Sequence, residues 1–149
     1  ITISNHLLSN VIAIDNSKEA IEVAQKNNKL TSNKVNFIYS NIEDYLPSTS
    51  FDVIISNPPY IPISDRYKVD QNVLENEPHN ALFIDNDPIY FYKTIISFAK
   101  KHLNKNGLIY FEINQNYVDQ ITSLIYEFDF KITKDFYGQN RFVTIKNVF

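Results

Sequence analysis

Apolar residues fall along the chain in short runs alternating with helical patterns. Ile3, Leu7 and Leu8 share one side of a segment that reads as the tail of a helix over Ile1–Leu8, closed by Ser9-Asn10. Val11-Ile12-Ala13-Ile14 is a continuous apolar run ended by Asp15, the pattern of a strand buried on both faces. Ser17 suits a helix N-cap, with Ala20, Ile21 and Ala24 as the apolar face and Asn27-Asn28 as the frayed end. Val35–Tyr39 predicts a second strand. After a turn at Pro47–Ser50, Phe51–Ser56 predicts a third.

Residues 61–86 read as mostly irregular, a long connection of the functional or mobile kind, carrying Asp65, Asp70, Glu75 and Glu77. Asp87-Pro88 suggests an N-cap followed by proline at the first helical position. That helix is expected to run through Phe91, Ile95, Phe98 and Ala99 to about Leu103. Asn106-Gly107 then turns into a strand over Leu108–Ile113. Val118, Ile121, Leu124 and Ile125 predict a helix over 116–127, and a hairpin is expected from Phe130–Phe136 and Phe142–Val148 around Gly138-Gln139-Asn140. Strands alternating with helices imply an α/β fold, a mostly parallel sheet with helices on both faces and an antiparallel C-terminal hairpin.

With 149 residues, 44% of them hydrophobic, the chain is long enough for one domain with a sizeable core. Neither a secretory signal nor an apolar run near the roughly 20 residues of a membrane span is visible, so no membrane partner is expected. Cysteine is absent, which removes disulfides, thiolate metal sites and a cysteine nucleophile, and fits a cytoplasmic protein. The net charge is −3, and Lys and Arg are scattered apart from Lys100-Lys101, so direct nucleic-acid binding is not expected. His6, His79 and His102 have no metal-like spacing, and no metal site is expected.

The most informative residues are Asn57-Pro58-Pro59-Tyr60, directly after an apolar strand. Two prolines stop the ladder and stiffen the chain as it leaves the sheet. Asn57 then presents a planar amide at the sheet's carboxyl edge, where open α/β sheets bind ligands, and Tyr60 adds an aromatic face. Such a pairing suits a flat group ending in NH2; a proline-rich strand cap is the bland alternative. Asp15, at the end of the first recognisable strand, occupies the position from which an acidic residue binds ribose hydroxyls in dinucleotide-type folds. Each charge-assisted bond there is worth about 1.5–3 kcal/mol. Glu112 stands at a strand end with structural and pocket-lining roles equally open, and Arg141 reads as an ordinary hairpin residue.

Asn57-Pro58-Pro59-Tyr60-Ile61-Pro62, Asn76-Glu77-Pro78-His79-Asn80-Ala81-Leu82, Asp87 with Tyr92, Gly107–Ile113, and Asp135 through Gly138 to Arg141 together resemble the HemK family of release-factor glutamine methyltransferases. The resemblance covers nearly the whole chain, and Glu77-Pro78-x-x-Ala81-Leu82 distinguishes this family from nucleic-acid aminomethylases sharing the Asn-Pro-Pro-Tyr motif. It implies a Rossmann-like class I S-adenosylmethionine-dependent methyltransferase fold and methyl transfer from that cofactor to a glutamine side-chain amide. The glutamine would lie in the Gly-Gly-Gln motif of class I peptide chain release factors. By the same resemblance Asp15 holds the ribose, Asn41 and Ile42 lie at the adenine, and Asn57 and Pro58 hold the target amide. Asn57 also borders the cofactor, Tyr60 lies against the amide, and Pro59 and Glu77 complete the substrate side. Asn41, Pro88 and Asn114 depart from the family's usual Asp, Gly and Gly.

A glycine-rich cofactor loop is expected roughly 20 residues before Asp15, yet the only glycines are Gly107 and Gly138. With no methionine and an opening at Ile1, residues 1–149 read as an N-terminally truncated catalytic domain lacking its first strand, inactive alone. The alternatives are a nucleic-acid aminomethyltransferase acting on an exocyclic amine, or a non-catalytic remnant of the same fold.

Overall fold

A computed structural model describes residues 1–7, 10–31, 35–85 and 87–147. Leu8, Ser9 and Val148, which entered the expected first helix and last strand, lie outside the described residues. The chain divides into two compact units, Ile1–Leu46 and Pro47–Phe149.

The first unit begins with α1 (Thr2–Leu7), followed by β1 (Val11–Asp15), α2 (Lys18–Leu30) and β2 (Val35–Tyr39). β1 and β2 pair in parallel, from Val11 with Val35 to Asp15 with Tyr39. Parallel strands require a crossover, and α2 supplies it, burying Ile21. Ser17 caps α2 as its position suggests: its Oγ accepts from the Ala20 N–H at 3.1 Å. Asn27-Asn28 does not end the helix. α2 continues to Leu30, and the Thr31 N–H and Oγ1 bond the Asn28 carbonyl, satisfying an acceptor that would otherwise be orphaned at the helix end.

The second unit opens with β3 (Phe51–Ser56) and β4 (Ile61–Pro62). The segment expected to be irregular is largely ordered. A 3-10 turn spans Ile63–Lys68, then come α3 (Gln71–Asn76), α4 (His79–Leu82) and β5 (Phe83–Ile84), which pairs in parallel with β4. Asp70 caps α3 through the Asn72 N–H at 2.8 Å. α5 (Tyr90–His102) starts later than Asp87-Pro88 implied. Asp87 still serves its entry, its Oδ1 accepting from the Ile89 N–H at 3.1 Å and its carbonyl from the Tyr90 N–H at 2.9 Å.

β6 (Leu103–Glu112) begins five residues earlier than expected. Its polar stretch bulges: Phe51 pairs with Leu103, but Val53 pairs with Leu108. Asn106 takes a left-handed φ of 64° inside this bulge. Asn147, 8% exposed, locks it, with Nδ2 donating to the Leu103 and Asn104 carbonyls at 3.2 Å each. The following helix is shorter than its periodicity suggested, a 3-10 turn at Gln115–Tyr117 leading into α6 (Val118–Leu124). β7 (Asp129–Lys134) and β8 (Asn140–Lys146) form the expected hairpin, but they begin one and two residues earlier than expected, and Asn140 belongs to β8 rather than to the turn.

The sheet order is β3-β6-β8-β7. β3 runs parallel to β6, while β8 runs antiparallel to both β6 and β7. β7 therefore points the same way as β3 and β6, and Ser56, Glu112 and Lys134 end at one edge. α5 packs on β6, and Tyr92 meets Phe111 edge-on with ring centres 5.2 Å apart. Ile95, Ile96, Ile109, Phe111, Ile113, Ile121, Ile125, Val143 and Ile145 are buried around them. At roughly 1.5–3 kcal/mol for each large apolar side chain, this cluster is what fixes that edge in place.

Candidate active site

In the first unit, Asp15 ends β1 exposed to solvent. One carboxylate oxygen, Oδ1, accepts from the Ser17 N–H at 2.8 Å, while the Asp15 carbonyl accepts from the Ser40 N–H at 3.0 Å. The first bond orients the carboxylate and leaves Oδ2 for another donor. Beside it Asn16, Tyr39, Ser40, Asn41 and Asp44 line a polar cleft of about 320 Å³. That is within the roughly 300–1,000 Å³ of small-molecule sites. Asn41 Nδ2 donates to Asp44 Oδ2 at 3.1 Å, which leaves the Asn41 side-chain oxygen as an acceptor. Ile42 follows, half-buried. A ribosyl group needs a carboxylate acceptor and an adenine needs amide and backbone partners; the donor set fits both.

In the second unit, Asn57, Pro58, Pro59 and Tyr60 leave the carboxyl end of β3. Asn57 is exposed, Pro58 buried, and Pro59 and Tyr60 half-buried. Pro58 has no N–H, so its backbone offers only an acceptor. Burial raises the Tyr60 hydroxyl above the ordinary phenol value; the Glu112 carboxylate pushes it the same way, and the positive charge of Arg141 opposes both. Glu112, left open between two roles, thus bears on Tyr60 while its backbone carbonyl accepts from the Tyr92 hydroxyl at 2.9 Å. Tyr92 is fully buried, and its hydroxyl is raised strongly, first by burial and then by Tyr60 and Glu112.

Arg141 stands at the start of β8. Its carbonyl accepts from the Ile113 N–H at 2.8 Å, and its Nε pairs with Asp135 Oδ2 at 3.1 Å. Asp135 Oδ1 also accepts from the Tyr137 and Gln139 N–H groups at 2.9 and 3.0 Å. Gly138, at φ 78°, supplies the left-handed step that lets the turn close under that carboxylate. Sequence reasoning set Arg141 aside as a hairpin residue. Its side-chain bonds, to Asp135 and Gln139 across the turn, agree with that.

Glu77 lies exposed at the C-terminal end of α3, its N–H bonded to the Val73 carbonyl at 2.9 Å. It belongs to the connection between β4 and β5 rather than to the corner itself. A depression of about 240 Å³ lies in that connection, where Ile63, Arg66, His79, Asn80 and Phe83 meet. Among the described residues no cluster of three His, Cys, Asp or Glu side chains could hold a metal, and no helix is long and apolar enough to cross a membrane.

Known proteins share both sequence and fold with this chain. It is 42% identical over 144 residues to a release factor glutamine methyltransferase of Flavobacterium psychrophilum, covering 92% of this chain and 50% of that protein. It is 38% identical over 141 residues to one from Bacteroides thetaiotaomicron, covering 90% and 50%. The chain thus spans about half the length of the curated relatives it matches. A methyltransferase crystal structure from Pyrococcus furiosus superposes with a TM-score of 0.71 at 18% identity, covering 99% of this chain and 66% of that one. An S-adenosylmethionine-dependent O-methyltransferase from Thermotoga maritima gives 0.66 at 10% identity, covering 95% and 51%. At such identities the likeness is one of fold, the class I methyltransferase fold. Residues 4–90 match the methyltransferase-domain family, and the chain belongs to that family.

Proposed function

We propose that this chain is the catalytic part of a protein-glutamine methyltransferase. It moves a methyl group from S-adenosylmethionine to the side-chain amide nitrogen of the glutamine in the Gly-Gly-Gln motif of class I peptide chain release factors. The observation that carries the reading is the Asn57-Pro58-Pro59-Tyr60 corner at the carboxyl end of a parallel strand. The chain's similarity to release factor glutamine methyltransferases supports it.

The chemistry accounts for the residue types. An amide nitrogen is a poor nucleophile because its lone pair is delocalised into the carbonyl. The Asn57 side-chain oxygen and the Pro58 carbonyl accept its two hydrogens and aim the nitrogen. Tyr60 lies against the flat amide and limits its tilt. Correct placement lowers the barrier by several kcal/mol, with roughly 7–11 kcal/mol as the ceiling for such effects. When bound, the cofactor supplies an activated methyl on a sulfonium whose charge is lost on transfer, so no strong base is needed beforehand. Asp15 would accept from the ribose hydroxyls, Asn41 and Ile42 would border the adenine, and Asn57 is assigned to the amide. Pro59 holds the corner's direction, and Glu77 stands on the substrate side. On this reading the protein works in the cytoplasm, where release factors act.

The test is partition of isotopic methyl among acceptors. The intact protein is incubated with labelled S-adenosylmethionine, a class I release factor, transfer and ribosomal RNA, and DNA. Label is expected in the release factor and lost when its Gly-Gly-Gln glutamine is replaced by alanine. Label in nucleic acid instead would establish the aminomethyltransferase alternative.

A further inference from the structure

The turn between β7 and β8 carries the two most exposed large hydrophobic side chains among the described residues: Phe136 is 107% exposed and Tyr137 90%. The turn itself is tightly bonded. The Asp135 carboxylate accepts from the Tyr137 and Gln139 N–H groups, the Asp135 N–H donates to the Gln139 carbonyl at 2.8 Å, and the Gly138 N–H donates to the Asp135 carbonyl at 3.0 Å. Arg141 holds the same carboxylate from the start of β8. These bonds use backbone groups and the Asp135 and Arg141 side chains, so the turn makes no demand on the side chains at 136 and 137. Neither ring gains burial when the chain folds. What two adjacent aromatic rings contribute there comes from a surface that covers them.

The sheet says what that surface belongs to. Ser56, Phe111, Val143 and Ile132 form one row across β3, β6, β8 and β7. Asn57 stands one residue beyond that row on β3, and Phe136 and Tyr137 stand four and five beyond it at the end of β7, which points the same way. Three strand spacings make about 14 Å sideways, and extended chain adds at most about 13 Å outward, so the tip lies within roughly 20 Å of Asn57. A stable protein–protein interface takes roughly 800 Å² from each partner, a patch about 30 Å across. A folded protein that delivers a side chain to Asn57 therefore reaches the tip, whereas a free small molecule at the corner does not. We propose that Phe136 and Tyr137 are a docking point for the folded substrate protein, gripping it outside the segment that carries the reacting residue. That the substrate is a release factor rests on the glutamine-methylation reading. Aromatic side chains suit the task, because they offer much contact area for few torsions, and a turn already fixed by Asp135 loses little freedom on binding. The corner after β3 aims the amide, and the tip holds the body of the protein that bears it.

The test is steady-state methylation of a class I release factor by the intact protein carrying Phe136→Ser and Tyr137→Ser together. KM for the release factor is expected to rise about tenfold or more, as when aromatic anchors are removed from an interface, with kcat and calorimetric affinity for S-adenosylmethionine unchanged. The melting temperature should stay at the parent's value, since neither ring is packed against the fold. An unchanged KM would overturn the proposal. So would a clear fall in melting temperature, which would mean that the rest of the intact chain covers the tip. Loss of RNA binding with the release-factor KM unmoved would also overturn it, assigning the rings to base stacking. A parent protein that leaves the release factor unmethylated would sink the glutamine reading and this partner with it. A methylating parent with an equally effective double variant would refute the docking role alone.

Discussion

Replacing Tyr92 with phenylalanine removes one oxygen atom from the centre of the second unit. That oxygen is fully buried and donates to the Glu112 carbonyl at 2.9 Å. The ring remains, so its edge-on contact with Phe111 at 5.2 Å survives and no large cavity opens. What is lost is one neutral hydrogen bond, and what is left is a carbonyl without this partner. A buried group left unsatisfied costs about 1–3 kcal/mol. With a urea slope of roughly 1–3 kcal/mol per molar, the unfolding midpoint should fall by about 1 M. Truncation to alanine should cost about 3–5 kcal/mol, because the ring's packing goes as well. Urea unfolding followed by circular dichroism gives both values.

The same residue makes an alkaline prediction. The fold holds the Tyr92 hydroxyl well above its ordinary value, chiefly by burial. The folded state therefore keeps a proton that the unfolded chain releases above about pH 10. Stability is full below that pH and declines as pH rises beyond it, and Tyr92→Phe should decline less steeply. Tyr60, raised for similar reasons, is present in both proteins and leaves a shared residual slope. A Tyr92→Phe protein within about 0.5 kcal/mol of the parent, the range of surface substitutions, would refute the structural role given to this hydrogen bond.

Other outcomes follow from the site and its edges. Asn57→Ala should reduce methyl transfer by about 2.7–4 kcal/mol, as for one positioned catalytic hydrogen-bonding group, with little change in calorimetric cofactor affinity. Asp15→Ala should weaken cofactor affinity first, so equal effects of the two on affinity would contradict their assignments. Asp135 is held below the ordinary carboxyl range, first by the Gln139 N–H and also by Arg141 and the Tyr137 N–H. Its contribution to stability is present above about pH 4 and lost as pH falls through the folded value, so Asp135→Asn should flatten acid unfolding below pH 4. Among the described residues β1 pairs only with β2 and β3 only with β6, and Val53 and Ile55 on β3 are 45% and 55% exposed. The isolated 149-residue chain should therefore self-associate, which sedimentation velocity would show as species above monomer mass.

What was legible in the sequence was local or strongly patterned. The run Val11–Ile14 closed by Asp15 reads as a strand because nothing polar interrupts it. Ser17 reads as a cap because its bond to the Ala20 N–H spans only three residues. The corner after β3 was legible because proline chemistry allows few alternatives. The segment from 61 to 84 was not legible. Two-residue strands carry no period, and α3 and α4, with six and four residues, are too short for a helical stripe. The early start of β6 was hidden because Asn104-Lys105-Asn106-Gly107 looks like a loop. Its strand-like course depends on Asn147, more than 40 positions away.

The most direct test of the account is tandem mass spectrometry of a class I release factor after incubation with the intact protein and S-adenosylmethionine. The account predicts a single added methyl on the side-chain nitrogen of the Gly-Gly-Gln glutamine, greatly reduced with Asn57→Ala. An unmodified glutamine with cofactor bound, or a methyl on another residue, would contradict it.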